Sequence, residues 1–183
     1  MTWKLSGSML DEKSTEELIK DLLEKRGQES QNQIEKFINP DYSDFRNPFD
    51  FENMEAIVNK IIFARENKEK IFIYGDYDVD GITSVSLLYL AFSELDANVN
   101  YYIPLRDEGY GLNKEAIQIL KNENADLVIS VDCGINSIEE INFANELNLD
   151  FIITDHHECQ ESLPAACAVV DPKREDCTYP FEG

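Results

Sequence analysis

Basic side chains are scarce: 16 Lys and Arg face 37 Asp and Glu over 183 residues, a formal charge of −21. Charge of that sign repels polyanions, so non-specific attraction to nucleic acid is excluded unless cations neutralise the clustered carboxylates or a basic groove lies elsewhere. The two histidines and four cysteines (Cys133, Cys159, Cys167 and Cys177) include no Cys-x-x-Cys pair. That argues against a zinc-finger site, and a chain of this size needs no disulfide framework, so reduced thiols are expected. No apolar run approaches the roughly 20 residues of a membrane span. The opening Met-Thr-Trp-Lys-Leu-Ser-Gly lacks the apolar segment of a secretory signal. No membrane partner and a cytoplasmic location are therefore expected. Internal repeats and low-complexity tracts are also lacking.

What is present has ordinary soluble proportions, 43% hydrophobic and 29% charged, enough for one α/β core with an extension before it. We place the extension and its connector at 1–52. Ser14-Thr15-Glu16-Glu17 has capping-box spacing ahead of an apolar stripe, with Gly27 as a stop, and a second helix is expected over 31–38. Residues 41–51, with Pro48 and four aromatics, read as an irregular but packed connector. From Asn53 the spacing of Met54, Ile57, Val58, Ile61 and Ile62 predicts a helix that opens the main domain, 53–183.

Beyond it the pattern alternates. Strands are expected at 70–74, 99–103, 127–131, 151–154 and 168–170, with helices at 83–95, 114–121 and 137–147. Strands separated by helices imply a doubly wound, mainly parallel sheet with right-handed crossovers. In such a sheet the ligand site lies beyond the carboxyl ends of the strands. Three groups of metal-binding side chains fall there independently: Asp76, Asp78 and Asp80 after the first strand, Asp132 after the third, and Asp155, His156 and His157 after the fourth.

Alone, Asp76-Tyr77-Asp78-Val79-Asp80 reads more readily as a solvated acidic turn. Beside both of the chain's histidines it reads as a cation site. Carboxylate oxygens and imidazole nitrogens without thiolates suit Mn²⁺ or Mg²⁺, and the number of groups suits two ions, which serve phosphoester or phosphoanhydride hydrolysis. Cys133 lies among them with no base beside it and is expected to be a small buried residue. Arg106 with the Gly109-Tyr110-Gly111 turn is either a phosphate or base contact or a surface turn. Lys173 and Arg174 present the same two readings.

The stretches Gly75-Asp76-Tyr77-Asp78-Val79-Asp80-Gly81, Val131-Asp132-Cys133-Gly134 and Thr154-Asp155-His156-His157-Glu158 resemble the first three motifs of the DHH phosphoesterase superfamily, and within it the RecJ branch. Phe37-Ile38-Asn39-Pro40, Tyr102-Ile103-Pro104-Leu105-Arg106, Glu108-Gly109-Tyr110-Gly111-Leu112-Asn113, Val169-Val170-Asp171-Pro172-Lys173-Arg174 and Cys177-Thr178-Tyr179-Pro180-Phe181 extend the likeness over nearly the whole chain. The resemblance implies a single-strand-specific DNA exonuclease that digests from the 5′ end with Mn²⁺ or Mg²⁺ in recombination and repair. Its partners would be single-stranded DNA and a single-strand binding protein or helicase.

It further implies Asp78, Asp80, Asp132 and His156 as metal ligands. Asp76 would contribute directly or from behind them, His157 would act at the metal or the scissile phosphate, and Asp155 would orient a histidine. Arg106, Tyr110, Gly111, Lys173 and Arg174 would face substrate, although Leu105 stands where the family usually has a polar residue. The family pattern continues to a fourth motif, which supplies another aspartate, and to further domains. On that basis the catalytic domain is expected to be incomplete at its C-terminal side and to hold metal weakly. Three alternatives stay open: a phosphoesterase acting on pyrophosphate or short nucleotides, a phosphatase using Asp78 as nucleophile, and a non-catalytic scaffold.

Overall fold

The computed structural model describes residues 14–180; the opening segment and Phe181, on which parts of the sequence reading rest, lie outside the described residues. The chain divides into two compact units with the boundary between Phe45 and Arg46. In the first, α1 (Thr15–Glu24) and α2 (Gln31–Ile38) each start with a reciprocal capping box, Ser14 with Glu17 and Ser30 with Gln33. Two orphan donors are satisfied at each start, which stabilises helices this short.

The second unit is built on five strands, β1 (Ile71–Gly75), β2 (Val99–Tyr102), β3 (Leu127–Val131), β4 (Asp150–Thr154) and β5 (Ala168–Val170). All pairs are parallel and the order is β2-β1-β3-β4-β5, so the doubly wound reading holds. Every residue of β1 and β3 is buried, as strands covered on both faces must be. On one face α5 (Lys114–Asn122) and α6 (Ile138–Glu146) seat Ile117, Leu120 and Ile141 against Phe72, Val128 and Ile153. On the other, α3 (Met54–Glu66) and α4 (Val79–Glu94) seat Ile57, Val85 and Phe92 against Ile71, Ile73 and Ile129. Strand order reverses between β1 and β3, which places the ligand crevice of an open sheet at their carboxyl ends.

Two local expectations need correction. α4 begins at Val79, four residues before the predicted start, because the Asp78 side chain accepts from Gly81 N and caps the helix. The connector is also less packed than predicted: it folds into 3₁₀ turns at Tyr42–Asp44 and Pro48–Asp50, with Tyr42, Phe45 and Phe49 exposed. Within the second unit, Phe51 alone of these aromatics finds a ring partner, stacked on Tyr179 at 3.9 Å.

Candidate metal centre

The end of β1 and the start of α4 are pressed together. A Cβ on Gly81 would lie 2.4 Å from the Asp76 carbonyl oxygen, so a residue without one is required there. That approach sets Asp76, Asp78 and Asp80 around one turn. Asp76 is fully buried and its Oδ1 accepts from Tyr77 N at 2.7 Å. Asp78 sits at the helix N-cap and Asp80 in the first turn, where the helix dipole favours negative charge.

Asp132 follows β3 in the left-handed region, φ +60°, an unusual conformation for a non-glycine residue. Its amide donates to Thr154 O at 3.0 Å, and its Oδ1 lies 3.0 Å from His156 Nε2. Asp155, after β4, is satisfied at both oxygens: Oδ2 accepts from Ile135 N at 2.9 Å, and Oδ1 from His156 N at 2.7 Å and His157 N at 3.2 Å. The same Oδ1 is 2.7 Å from His157 Nδ1. The other imidazole nitrogen, Nε2, lies 3.2 Å from the Tyr110 hydroxyl.

The electrostatics divide along the same line. Burial, then the neighbouring Asp78, holds the Asp132 carboxyl above the usual carboxylate range, and burial does the same to Asp76. The Gly81 amide pulls Asp78 the other way. The hydrogen bond that His157 donates to Asp155 raises the histidine's pKa. Asp76 Oδ2 and Asp132 Oδ2 are buried and have no hydrogen-bond partner. A buried carboxylate oxygen left unpaired is costly, and a hard cation satisfies it.

Donor atoms of Asp132, His156 and His157 lie within 4.8 Å of one another, close enough to share an ion. The residues present therefore fit a divalent cation bound by oxygen and nitrogen. Cys133 is buried and its thiol is pushed well up by that burial, as an inert core residue would be. A cleft of about 500 Å³ opens over Asp80, Asp132 and His156, walled by Thr83, Leu87 and Leu88 of α4.

The residues read as substrate contacts are placed unequally. The Arg106 guanidinium stands 5.0 Å over the Tyr77 ring, and Tyr77 meets Tyr110 edge-on at 6.2 Å. Tyr110 thus meets the rim directly at His157, and Arg106 reaches it through Tyr77, which sequence reasoning passed over although it stands between two of the motif's aspartates. Gly111 accepts from the Tyr74 hydroxyl at 2.9 Å and, with Tyr110 and His157, lines a second cleft of about 370 Å³.

Lys173 is half-exposed and pairs with Glu158 at 3.3 Å. Arg174 is not brought to the rim: its guanidinium closes on both Asp176 oxygens and on Val169 O. Sequence reasoning also missed Asp171, which follows β5 as the other aspartates follow their strands. It is 1% exposed, raised by burial, and has an unpartnered Oδ2. Its place directly after a strand was the available signal.

Comparison with known proteins agrees with this geometry. The family described as "DHH family, N-terminal domain" matches residues 70–179. A relative from Bacillus subtilis (strain 168), named single-stranded-DNA-specific exonuclease RecJ, is 43% identical over 166 residues, 90% of this chain and 21% of the relative. The protein of the same name from Escherichia coli (strain K12) is 36% identical over 129 residues, 69% of this chain and 22% of the relative. The chain thus spans about a fifth of the length of these curated relatives.

Among solved structures, exonuclease RecJ bound to manganese superposes with a TM-score of 0.63 at 31% identity, covering 69% of this chain and 32% of that one. RecJ in complex with Mn²⁺ from Thermus thermophilus gives 0.60 at 28%, covering 72% and 19%.

Proposed function

The chain belongs to the DHH family, and from that premise we propose that it is the metal-binding part of a phosphodiesterase that removes nucleotides from the 5′ end of single-stranded DNA in recombination and repair. The observation that carries the reading is the pair of orphaned carboxylate oxygens, on Asp76 and Asp132, beside His156 at the switch in strand order. Manganese-bound relatives with the same fold support it.

In this reading Asp76, Asp78, Asp80, Asp132 and His156 hold two Mn²⁺ or Mg²⁺ ions. Bound there, the cations would lower the pKa of a water and neutralise charge on the transferring phosphoryl group. The chain's own residues do the rest. Asp155 keeps the His157 Nδ1–H in place, leaving Nε2 to hold or release a proton at the scissile phosphate. Asp80, on the first turn of α4, presents its exposed carboxylate to the same cleft as Asp132.

Arg106 and the backbone of Gly109 and Gly111 face the substrate backbone, joined by Lys173, while Arg174 keeps the turn after β5 in shape. In the same reading an N-terminal extension reaches residue 52 and the DHH domain follows from residue 53, working in the cytoplasm with a single-strand binding protein or helicase. No helix among the described residues is long and apolar enough to cross a membrane.

The test is to incubate the chain with Mn²⁺ and a 5′-phosphorylated single-stranded oligonucleotide labelled at either end. Mononucleotide release from the 5′ end, absent in Asp80→Ala, is expected; release of neither end overturns the reading for this chain. The formal charge of −21 favours one rival. A dinucleotide or pyrophosphate meets less repulsion than a long strand, and faster turnover of those short substrates would establish it.

A further inference from the structure

Both ring nitrogens of His157 are held by the protein. Nδ1 is 2.7 Å from Asp155 Oδ1, and Nε2 is 3.2 Å from the Tyr110 hydroxyl. His156, by contrast, is bonded through Nε2 to Asp132. The Tyr110 hydroxyl thus ties the Gly109–Gly111 turn to the histidine pair after β4. Tyr110 is itself braced, because the Tyr77 ring packs edge-on against it and carries Arg106 on its own face. Left-handed φ values of +96° at Gly109 and +78° at Gly111 turn the chain so that the intervening tyrosine faces the rim.

We propose that Tyr110 is a positioning residue for His157: its hydroxyl and the Asp155 carboxylate hold the imidazole from opposite nitrogens, and Tyr77 braces the phenol. A ring fixed at one nitrogen alone can rotate about its hydrogen bond. Fixed at both, the ring keeps one orientation beside Asp132 and His156, whose donor atoms lie within 4.8 Å of its own. Orienting partners of this kind typically change function by about 10–100-fold when removed. The kinetic consequence rests on the role of His157 proposed above; the structural one does not.

The experiment is Tyr110→Phe, a change at a side chain 55% exposed, which removes one oxygen and keeps the ring. Imidazole ¹⁵N resonances are recorded on the uniformly labelled, Mg²⁺-loaded chain. The variant is expected to move and broaden the His157 Nε2 signal while Nδ1 stays in place, and Tyr77→Leu to do so in part. An unchanged Nε2 signal in Tyr110→Phe overturns the proposal.

With Mn²⁺ and oligonucleotide, kcat is expected to fall about tenfold with KM constant within about twofold. A raised KM at constant kcat would instead make Tyr110 a direct substrate contact and overturn the positioning role. If the wild-type chain hydrolyses nothing, the proposed function fails, while the imidazole signals still decide whether Tyr110 holds His157.

Discussion

The two corners of the sheet rim contain the same residue types and treat them in opposite ways. At the β4 end, Asp155 receives four hydrogen bonds, three from backbone amides and one from His157, and has no idle oxygen. At the β1 and β3 ends, Asp76 and Asp132 are as well buried, yet each has an oxygen without a partner. The first corner is complete in the metal-free chain. The second is held in an unfavourable state that a cation relieves. Burial alone therefore does not separate the two corners; the unpaired oxygen does.

The same substitution at both corners breaks the comparison most sharply. Asp132→Asn should reduce hydrolysis to background, because a carboxylate ligand is lost, and should stabilise the metal-free fold by about 1–3 kcal/mol as crowding with Asp78 is relieved. Turnover at the wild-type rate would refute the ligand assignment. Asp155→Asn should lower activity less, by about 10–100-fold, and should destabilise the fold by about 2–3 kcal/mol, because an amide cannot accept all four donors. Chemical denaturation of the metal-free proteins reads both signs; equal signs would erase the distinction.

Gly81→Ala should cost about 1–3 kcal/mol, since the new Cβ meets the Asp76 backbone. It should also weaken Mn²⁺ binding by moving Asp78 and Asp80. A variant as stable as wild type would show that the strand and helix ends can separate freely.

The smallest effect expected is a pH slope. Asp76 and Asp132 have folded pKa values raised above 3.8, so their contribution to stability is fully present below that value and is lost as pH rises through the raised values. His157, raised from 6.5, adds a loss of the same sign at higher pH, through its own folded value. Melting temperature of the metal-free chain should therefore fall from the acid side towards neutrality, and saturating Mg²⁺ should remove the carboxylate part of that fall. A rise over the same window would contradict the assignment.

Much of this was legible in the sequence because it depends on short-range pattern. The runs Ile71-Phe72-Ile73 and Leu127-Val128-Ile129 could only be strands covered on both sides, and aspartates directly after them had to share a rim. What escaped depends on tertiary geometry. Asp78 and Gly81 look like turn residues until β1 and α4 are pressed together, so the helix start was placed late. The left-handed Asp132 and the stack of Arg106 on Tyr77 have no local signature. Arg174 reads as a free cation in sequence, and only the fold pairs it with Asp176 and Val169. Asp171 was readable by the same strand-end rule as its neighbours, but β5 is a three-residue edge strand and drew less weight.

A calorimetric titration of Mn²⁺ into the wild-type chain, Asp132→Asn and Asp155→Asn tests the division most directly. The expected result is saturable binding to the wild type, loss of binding in Asp132→Asn, and binding weakened by no more than about 10–100-fold in Asp155→Asn. Equal affinity of wild type and Asp132→Asn would mean that the orphaned oxygens after β1 and β3 do not hold the cation, and the account would fail at its centre.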